Sequence, residues 1–255
     1  MSSVVLQVDR LSKSFGGVHA LSDLSFEVGQ NEILGLIGPN GSGKSTTVNA
    51  LAGVFPATSG LVSLMGTEIQ KLPEYERVAK GLSRTFQTAN IFPEFTVYQQ
   101  IELSCNVTLS SHPLSSVFGV GVNKIEDRSI SERIQHILKI TGLDVVADEK
   151  VDTISSAQQR FLMIATSLAT EPKLILLDEP AAGLVSKERK ILCDLILKIR
   201  DQGISVLVIE HHMALIMEVC DRIVVLNFGS KIAEGTPDQI RNDQTVIDAY
   251  LGKAA

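Results

Sequence analysis

The chain has 255 residues, 44% of them hydrophobic and 20% charged, which is enough apolar material for a large core and too much for a disordered chain. A net charge of −6 argues against a general nucleic-acid-binding surface. Three widely spaced cysteines, Cys105, Cys193 and Cys220, build neither a zinc pattern nor a disulfide framework and point to a reducing cytosol.

In chain order, residues 4–9 and 24–28 read as strands around the turn-rich Ser14-Phe15-Gly16-Gly17. Phe15 is either an exposed aromatic placed to stack on a purine or a loop phenylalanine folded into the core. Residues 32–37 form a short buried strand and residues 45–52 open a helix. Between them stands Gly38-Pro39-Asn40-Gly41-Ser42-Gly43-Lys44-Ser45, followed by Thr46. This fits G-x-x-x-x-G-K-[ST], a loop whose backbone N–H groups wrap a polyphosphate. The glycines permit a tight turn, Lys44 supplies a compact charge for the β- and γ-phosphates, and the Ser45 hydroxyl is placed to ligate Mg²⁺. The helix that follows turns its positive end toward the phosphates.

Residues 60–66 read as a strand, 73–79 as a short helix and 82–87 as a strand ending in Gln87. From about residue 95 the pattern turns helical, with capping boxes at Thr96-x-x-Gln99, opening a helix over 97–104, and at Ser129-x-x-Glu132, opening one over 131–141 that Gly142 ends. Ile134, Ile137, Leu138 and Thr141 share a helical face expected in the core. The uncharged stretch 103–123 is either a mobile loop or a weakly apolar docking surface. Leu174–Asp178 is a continuous apolar run expected as a parallel strand buried on both faces, beside the strand that feeds the glycine loop. The spacing of Ile191, Leu195, Ile196 and Ile199 predicts a helix over Ser186–Asp201, and 205–210 and 222–226 are further strands. Thr236-Pro237 starts a last helix. Strand–helix alternation around a phosphate loop implies an α/β fold with a largely parallel sheet.

Asp178 and Glu179 end their strand at the sheet edge where ligands bind. Asp178 is expected to hold Mg²⁺ together with Ser45, and Glu179 to activate a water against the γ-phosphorus. His211, after the next strand, is placed to donate to the γ-phosphate, with His212 a solvated neighbour. A GTPase is disfavoured because Asn123-Lys124-Ile125-Glu126 lacks the Asp of the guanine-reading motif and precedes the acidic strand. A nucleotide kinase leaves the Asp-Glu pair and its histidine unexplained.

Together these pieces resemble the ATP-binding subunits of ABC transporters over essentially the whole chain. The resemblance implies a P-loop NTPase (RecA-like) core with an N-terminal antiparallel β subdomain and an inserted α-helical subdomain over approximately residues 95–160 of a single nucleotide-binding domain. It makes Phe15 the adenine-stacking aromatic, residues 38–45 the Walker A loop and Gln87 the Q-loop glutamine that senses Mg²⁺ and water. Asp178 ends the Walker B strand, Glu179 is the catalytic base and His211 the switch histidine. Lys13-Ser14-Phe15-Gly16-Gly17, Arg84-Thr85-Phe86-Gln87, Ile209-Glu210-His211 and the ending Val246-Ile247-Asp248-Ala249-Tyr250-Leu251-Gly252 are similar to the branched-chain amino-acid (Liv-type) importers. That likeness implies ATP hydrolysis with Mg²⁺ at the cytoplasmic face of the inner membrane, transmembrane permease subunits, a second homologous ATPase subunit, and indirectly a periplasmic or extracellular substrate-binding protein.

Two segments depart from the family. The signature Leu-Ser-Gly-Gly-Gln reads Ile154-Ser155-Ser156-Ala157-Gln158, and Val185 stands where the D-loop carries Asp or Asn. Ser155 and Gln158 are expected to reach the other subunit's ATP, and the Cβ of Ala157 to crowd that contact or restrict the backbone. Because both departures face the partner's nucleotide, a heterodimer with one efficient site is expected. The alternative is an ATP-binding regulatory module with little turnover.

Overall fold

The computed structural model describes residues 3–85, 92–109 and 124–251. The first two strands run further than expected: β1 (Val4–Phe15) and β2 (Val18–Gly29) form a long antiparallel hairpin. Its turn is Gly16-Gly17, with Gly16 at φ +57, so Phe15 ends a strand rather than sitting in a loop. Next come β3 (Ile33–Ile37), α1 (Lys44–Ala52), β4 (Ser59–Leu64), β5 (Thr67–Glu68), α2 (Glu74–Ala79) and β6 (Leu82–Arg84). Helices α3 (Val97–Leu109), α4 (Lys124–Thr141) and α5 (Ser156–Leu168) follow. The chain then alternates through β7 (Leu174–Asp178), α6 (Ser186–Asp201), β8 (Ser205–Ile209), α7 (Met213–Val219) and β9 (Arg222–Asn227). It closes with β10 (Ser230–Gly235), α8 (Pro237–Arg241) and α9 (Gln244–Leu251).

Two sheets result. One is antiparallel, in the order β2-β1-β4-β5; the other runs β10-β9-β3-β8-β7-β6 and is parallel apart from β10. The expectation that β7 lies beside β3 is corrected here: β8 stands between them, pairing Leu36 on one side and Asp178 on the other with Ile209. Alternate residues of the parallel strands feed two cores. Leu34, Leu36, Leu174, Leu176 and Leu207 meet α1 and the antiparallel sheet. Ile33, Ile37, Ile175, Leu177, Val206 and Val208 share the opposite core with α3 to α7. At about 1.5–3 kcal/mol for each fully buried large apolar side chain, these two layers supply the main driving force.

The box at Thr96 forms as expected, with Gln99 N–H donating to Thr96 Oγ1 at 3.1 Å and Thr96 N–H to Gln99 Oε1 at 2.9 Å. Ser129 opens nothing, because α4 already runs from Lys124 and the Glu132 carboxylate accepts from Arg128 Nε at 3.1 Å. Gly142, at φ +69, ends α4, and Ile134, Ile137, Leu138 and Thr141 are buried. On α6 the buried stripe is Leu192, Leu195, Ile196 and Ile199, whereas Ile191 falls on the solvent side. The last helix is two: Thr236 caps α8, and Asn242-Asp243 separates it from α9. Strand β10 and helices α5 and α7 had no counterpart among the expected elements. All three cysteines are buried.

Candidate functional site

The chain leaves β3 at Ile37 and re-enters regular structure at Lys44. Two glycines are required by packing as well as by turning. A Cβ on Gly38 would meet Leu226 O at 2.2 Å, and one on Gly43, at φ +106, would meet Ala20 O at 2.8 Å. Gly43 also N-caps α1 without a side-chain bond, and no acidic residue stands in the first turn. The leading N–H groups and the positive helix end therefore face the cleft, an arrangement suited to an anion.

Lys44 is buried and folds back on its own loop, donating from Nζ to Gly38 O at 2.7 Å and Pro39 O at 3.0 Å. Burial pushes its pKa down from the ordinary lysine value, with Glu179 partly opposing. A cleft of about 410 Å³ opens in front, lined by the loop residues Asn40, Gly41, Ser42, Gly43, Lys44, Ser45 and Thr46. Its far wall carries Glu179 and His211. Three elements distant in sequence thus converge on one space.

Glu179 is strained. Its φ of +50 is unusual for a residue with a side chain, and its N–H donates to Ile209 O at 2.9 Å. The side chain then meets the imidazole, His211 Nε2 lying 2.7 Å from Glu179 Oε1. Asp178 is 3% exposed at the end of β7. Its Oδ2 accepts from Arg84 Nη2 at 2.8 Å, while its Oδ1 is buried with no hydrogen-bond partner among the described residues. Arg84 also donates from Nη1 to Asn49 Oδ1 of α1 at 2.7 Å. Sequence reasoning quoted Arg84 only as part of a motif. The usable signal was a cation three residues before Gln87 on a strand beside β7.

An orphaned carboxylate oxygen is what a hard divalent cation completes, and the Ser45 hydroxyl stands in the first turn of α1 on the cleft wall. The residues fit a Mg²⁺ ion held by one hydroxyl and one carboxylate, leaving positions for oxygens of the bound nucleotide. No group of three or more His, Cys, Asp or Glu side chains among the described residues could hold a metal by itself.

Phe15 is half exposed, its ring edge-on to Phe55 at 5.3 Å between centroids with Lys13 Nζ 4.8 Å from both rings. It does not line the cleft; Val18 and His19, just across the hairpin turn, do. Phe228, 85% exposed at φ +44, is a cleft-lining aromatic that sequence reasoning passed over. Gln87 lies outside the described residues. Ser155 and Gln158 are away from the cleft and cap α5 reciprocally, Ser155 N–H to Gln158 Oε1 at 2.8 Å and Gln158 N–H to Ser155 Oγ at 3.2 Å. The Ala157 methyl is buried in the core shared with α3 and α4, and Ser155 and Ser156 are exposed. Val185 is 61% exposed and precedes α6, whose Glu188 accepts its N–H at 2.9 Å.

A parallel sheet that runs into a glycine loop and a helix N-terminus, with acidic strand ends across the cleft, defines a phosphate-loop NTPase. The sequence matches the ABC transporter family over residues 21–182, and residues 230–255 match the branched-chain amino acid ATP-binding cassette transporter family. It is 40% identical over 255 residues to the high-affinity branched-chain amino acid transport ATP-binding protein BraF of Pseudomonas aeruginosa, covering 100% of both chains. It is 37% identical, at the same coverage, to LivG of Escherichia coli, which carries the same description. A solved ATP-binding cassette of an ABC transporter in its ADP conformation superposes with a TM-score of 0.84 at 30% identity, over 98% of this chain and 99% of that one. The chain belongs to the ABC transporter family. It is an ATP-binding, ATP-hydrolysing cassette.

Proposed function

We propose that this cassette drives an importer of branched-chain or other amino acids or a related small amide, at the cytoplasmic face of the inner membrane. Its partners would be transmembrane permease subunits, a second ATPase subunit and, indirectly, a periplasmic or extracellular substrate-binding protein. The observation that carries its hydrolytic part is the 2.7 Å contact between Glu179 and His211 across the cleft from the glycine loop. The full-length likeness to BraF and LivG supports the substrate class. No helix among the described residues is long and apolar enough to cross a membrane, so the cassette would reach it through its partners. Helices α3 to α5, as an inserted subdomain over approximately residues 95–160, together with Gln87, would make that contact.

Within the cleft each residue has one task. The N–H groups of Gly41 to Ser45 bind the phosphates, and Lys44 leaves its two loop carbonyls for their charge. Phe15, outside the cleft lining but paired across the hairpin turn with Val18, stacks the adenine. Ser45 and Asp178 would hold Mg²⁺, which would supply charge neutralisation at the phosphates. Glu179 takes the proton of the attacking water, and His211 holds Glu179 and donates to the departing phosphoryl group. By the family resemblance, Gln87 would sense both metal and water. ADP and phosphate leave, and the dimer reopens.

Ser155, Gln158 and the exposed Val185 would face the other subunit's ATP. Val185 lacks the polar head of an Asp or Asn, so the site that this subunit completes for its partner would be the poorer one, in a heterodimer. In the purified pair, Glu179→Gln is expected to lower ATPase on the order of 10²-fold or more while leaving nucleotide bound. A small loss here, with the corresponding change in the partner abolishing turnover, reverses the assignment. Absence of turnover in the assembled wild-type complex would instead support a regulatory module, the reading that the altered Val185 position favours.

A further inference from the structure

Glu210 stands between β8 and His211, is 2% exposed, and takes no part in the proposed chemistry. Its Oε1 accepts the N–H of Ala181 at 2.6 Å. Its Oε2 accepts the N–H groups of His211 at 3.0 Å and His212 at 3.3 Å. No Lys, Arg or His side chain among the described residues forms an ion pair with it. A buried carboxylate satisfied by backbone donors on both oxygens is a strong, directional clamp, because each bond is charge-assisted.

The two segments it clamps carry the hydrolytic pair. Ala181 follows Glu179 by two residues, and the intervening Pro180 has a fixed φ. Glu179 is held in front by Ile209 O and behind by a turn in which Ala182 N–H donates to Glu179 O at 3.1 Å. A ring therefore closes: Glu179, Pro180, Ala181, the Glu210 carboxylate, the His211 backbone, the His211 imidazole and back to Glu179 Oε1 at 2.7 Å. Nothing in the ring depends on nucleotide. The strained φ of Glu179 needs such over-determination to persist.

We propose that Glu210 is a positioning residue for ATP hydrolysis: its carboxylate sets the separation and aim of Glu179 and His211. The inference rests on the reading of Glu179 as the base that activates water. Glu210→Gln is the sharp test because it keeps size and removes one acceptor. Whichever way the amide turns, its NH₂ faces either the Ala181 N–H or the His211 and His212 pair, and one side of the clamp opens.

In the full-length chain, Glu210→Gln is expected to lower kcat on the order of 10²-fold, as a displacement of about 1 Å does, and to leave KM for MgATP within about twofold. In a His211→Ala background the same change should cost under about threefold, since the pair it aligns is already broken. Amide exchange at Ala181 and His211 should rise while that at Gly43 and Lys44 stays put. Glu210→Asp keeps the charge with a shorter reach and should recover part of kcat; it carries the same readouts should the Gln variant fold poorly. The inference is overturned by unchanged kcat, by a loss of equal size in both backgrounds, or by a parallel rise in KM. Glu179→Gln run alongside separates the two claims. If it turns over normally, the base reading fails; if it is inactive while Glu210→Gln is normal, only the positioning role fails.

Discussion

Arg77→Met should loosen the helix that carries the phosphate loop from its far end. Arg77 is 2% exposed and donates four bonds, from Nε to Leu72 O at 2.9 Å, from Nη1 to Ala50 O at 2.7 Å and Leu51 O at 2.6 Å, and from Nη2 to Gln70 O at 3.0 Å. Ala50 and Leu51 are in the last turn of α1, so a guanidinium sits where the helix dipole is negative and the carbonyls lack partners. Burial pushes the Arg77 pKa below its ordinary value, with Glu74 opposing. Methionine keeps most of the stem and removes the donors. The Leu72 and Gln70 carbonyls border a cleft and can turn to water; the two helix carbonyls are buried. Two orphaned buried acceptors at about 1–3 kcal/mol each give a loss centred near 4 kcal/mol. For a domain of this size, at about 2–4 °C per kcal/mol, thermal unfolding without nucleotide should shift down by about 8–16 °C. A shift under about 3 °C would mean that the helix end finds other partners and that the capping argument is wrong.

Other outcomes follow from the same geometry. Phe15→Ala should raise KM for ATP roughly tenfold, the equivalent of one lost stacking contact, with kcat unchanged; an unaltered KM would place the adenine elsewhere, with Phe228 the next residue to substitute. Burial pushes the Cys193 thiol up to about 11 and Cys220 higher still, with acidic neighbours Glu218 and Asp221 adding to the effect. A thiol reagent at pH 8 should therefore leave Cys193 and Cys220 untouched in the native chain and label them rapidly in denaturant. An acid whose pKa is higher in the folded state loses its proton first in the unfolded chain. Stability is unaffected below the ordinary thiol range and falls as pH rises from about 9 toward 11, which chemical denaturation at stepped pH reads directly.

What the sequence disclosed was mostly local. The glycine loop, its flanking strand and helix, and the apolar run into Asp178 each lie within ten or so consecutive residues, and their spacing carried them. The ends of β1 and β2 were missed because polar residues pair in the ladder there, Lys13 with Leu21 and Ser14 with His19, across several register shifts, so that alternation gives no signal. Ser129 misled because a capping box read from sequence cannot show that the preceding residues are already helical. Strand order was beyond local reading, since the insertion of β8 between β3 and β7 depends on contacts across the whole chain. Arg84 and Glu210 escaped notice for a related reason: each acts on residues far away in sequence, Arg84 on Asn49 and Asp178 and Glu210 on Ala181.

The inward-folded Lys44 bears on which ligands the cassette can admit. A lysine waving free in an empty loop would salt-pair with any passing anion, in a cell where inorganic phosphate, sulfate and chloride are abundant. Here the ammonium is already solvated by the loop's own carbonyls, at 2.7 and 3.0 Å, and an incoming anion must outcompete both. A single charge offers little beyond what the carbonyls provide. A triphosphate, which engages the helix end and the neighbouring amides at once, offers a great deal more. The loop's own carbonyls thus hold the ammonium in place, and a ligand that draws it away must engage the helix end as well as the charge.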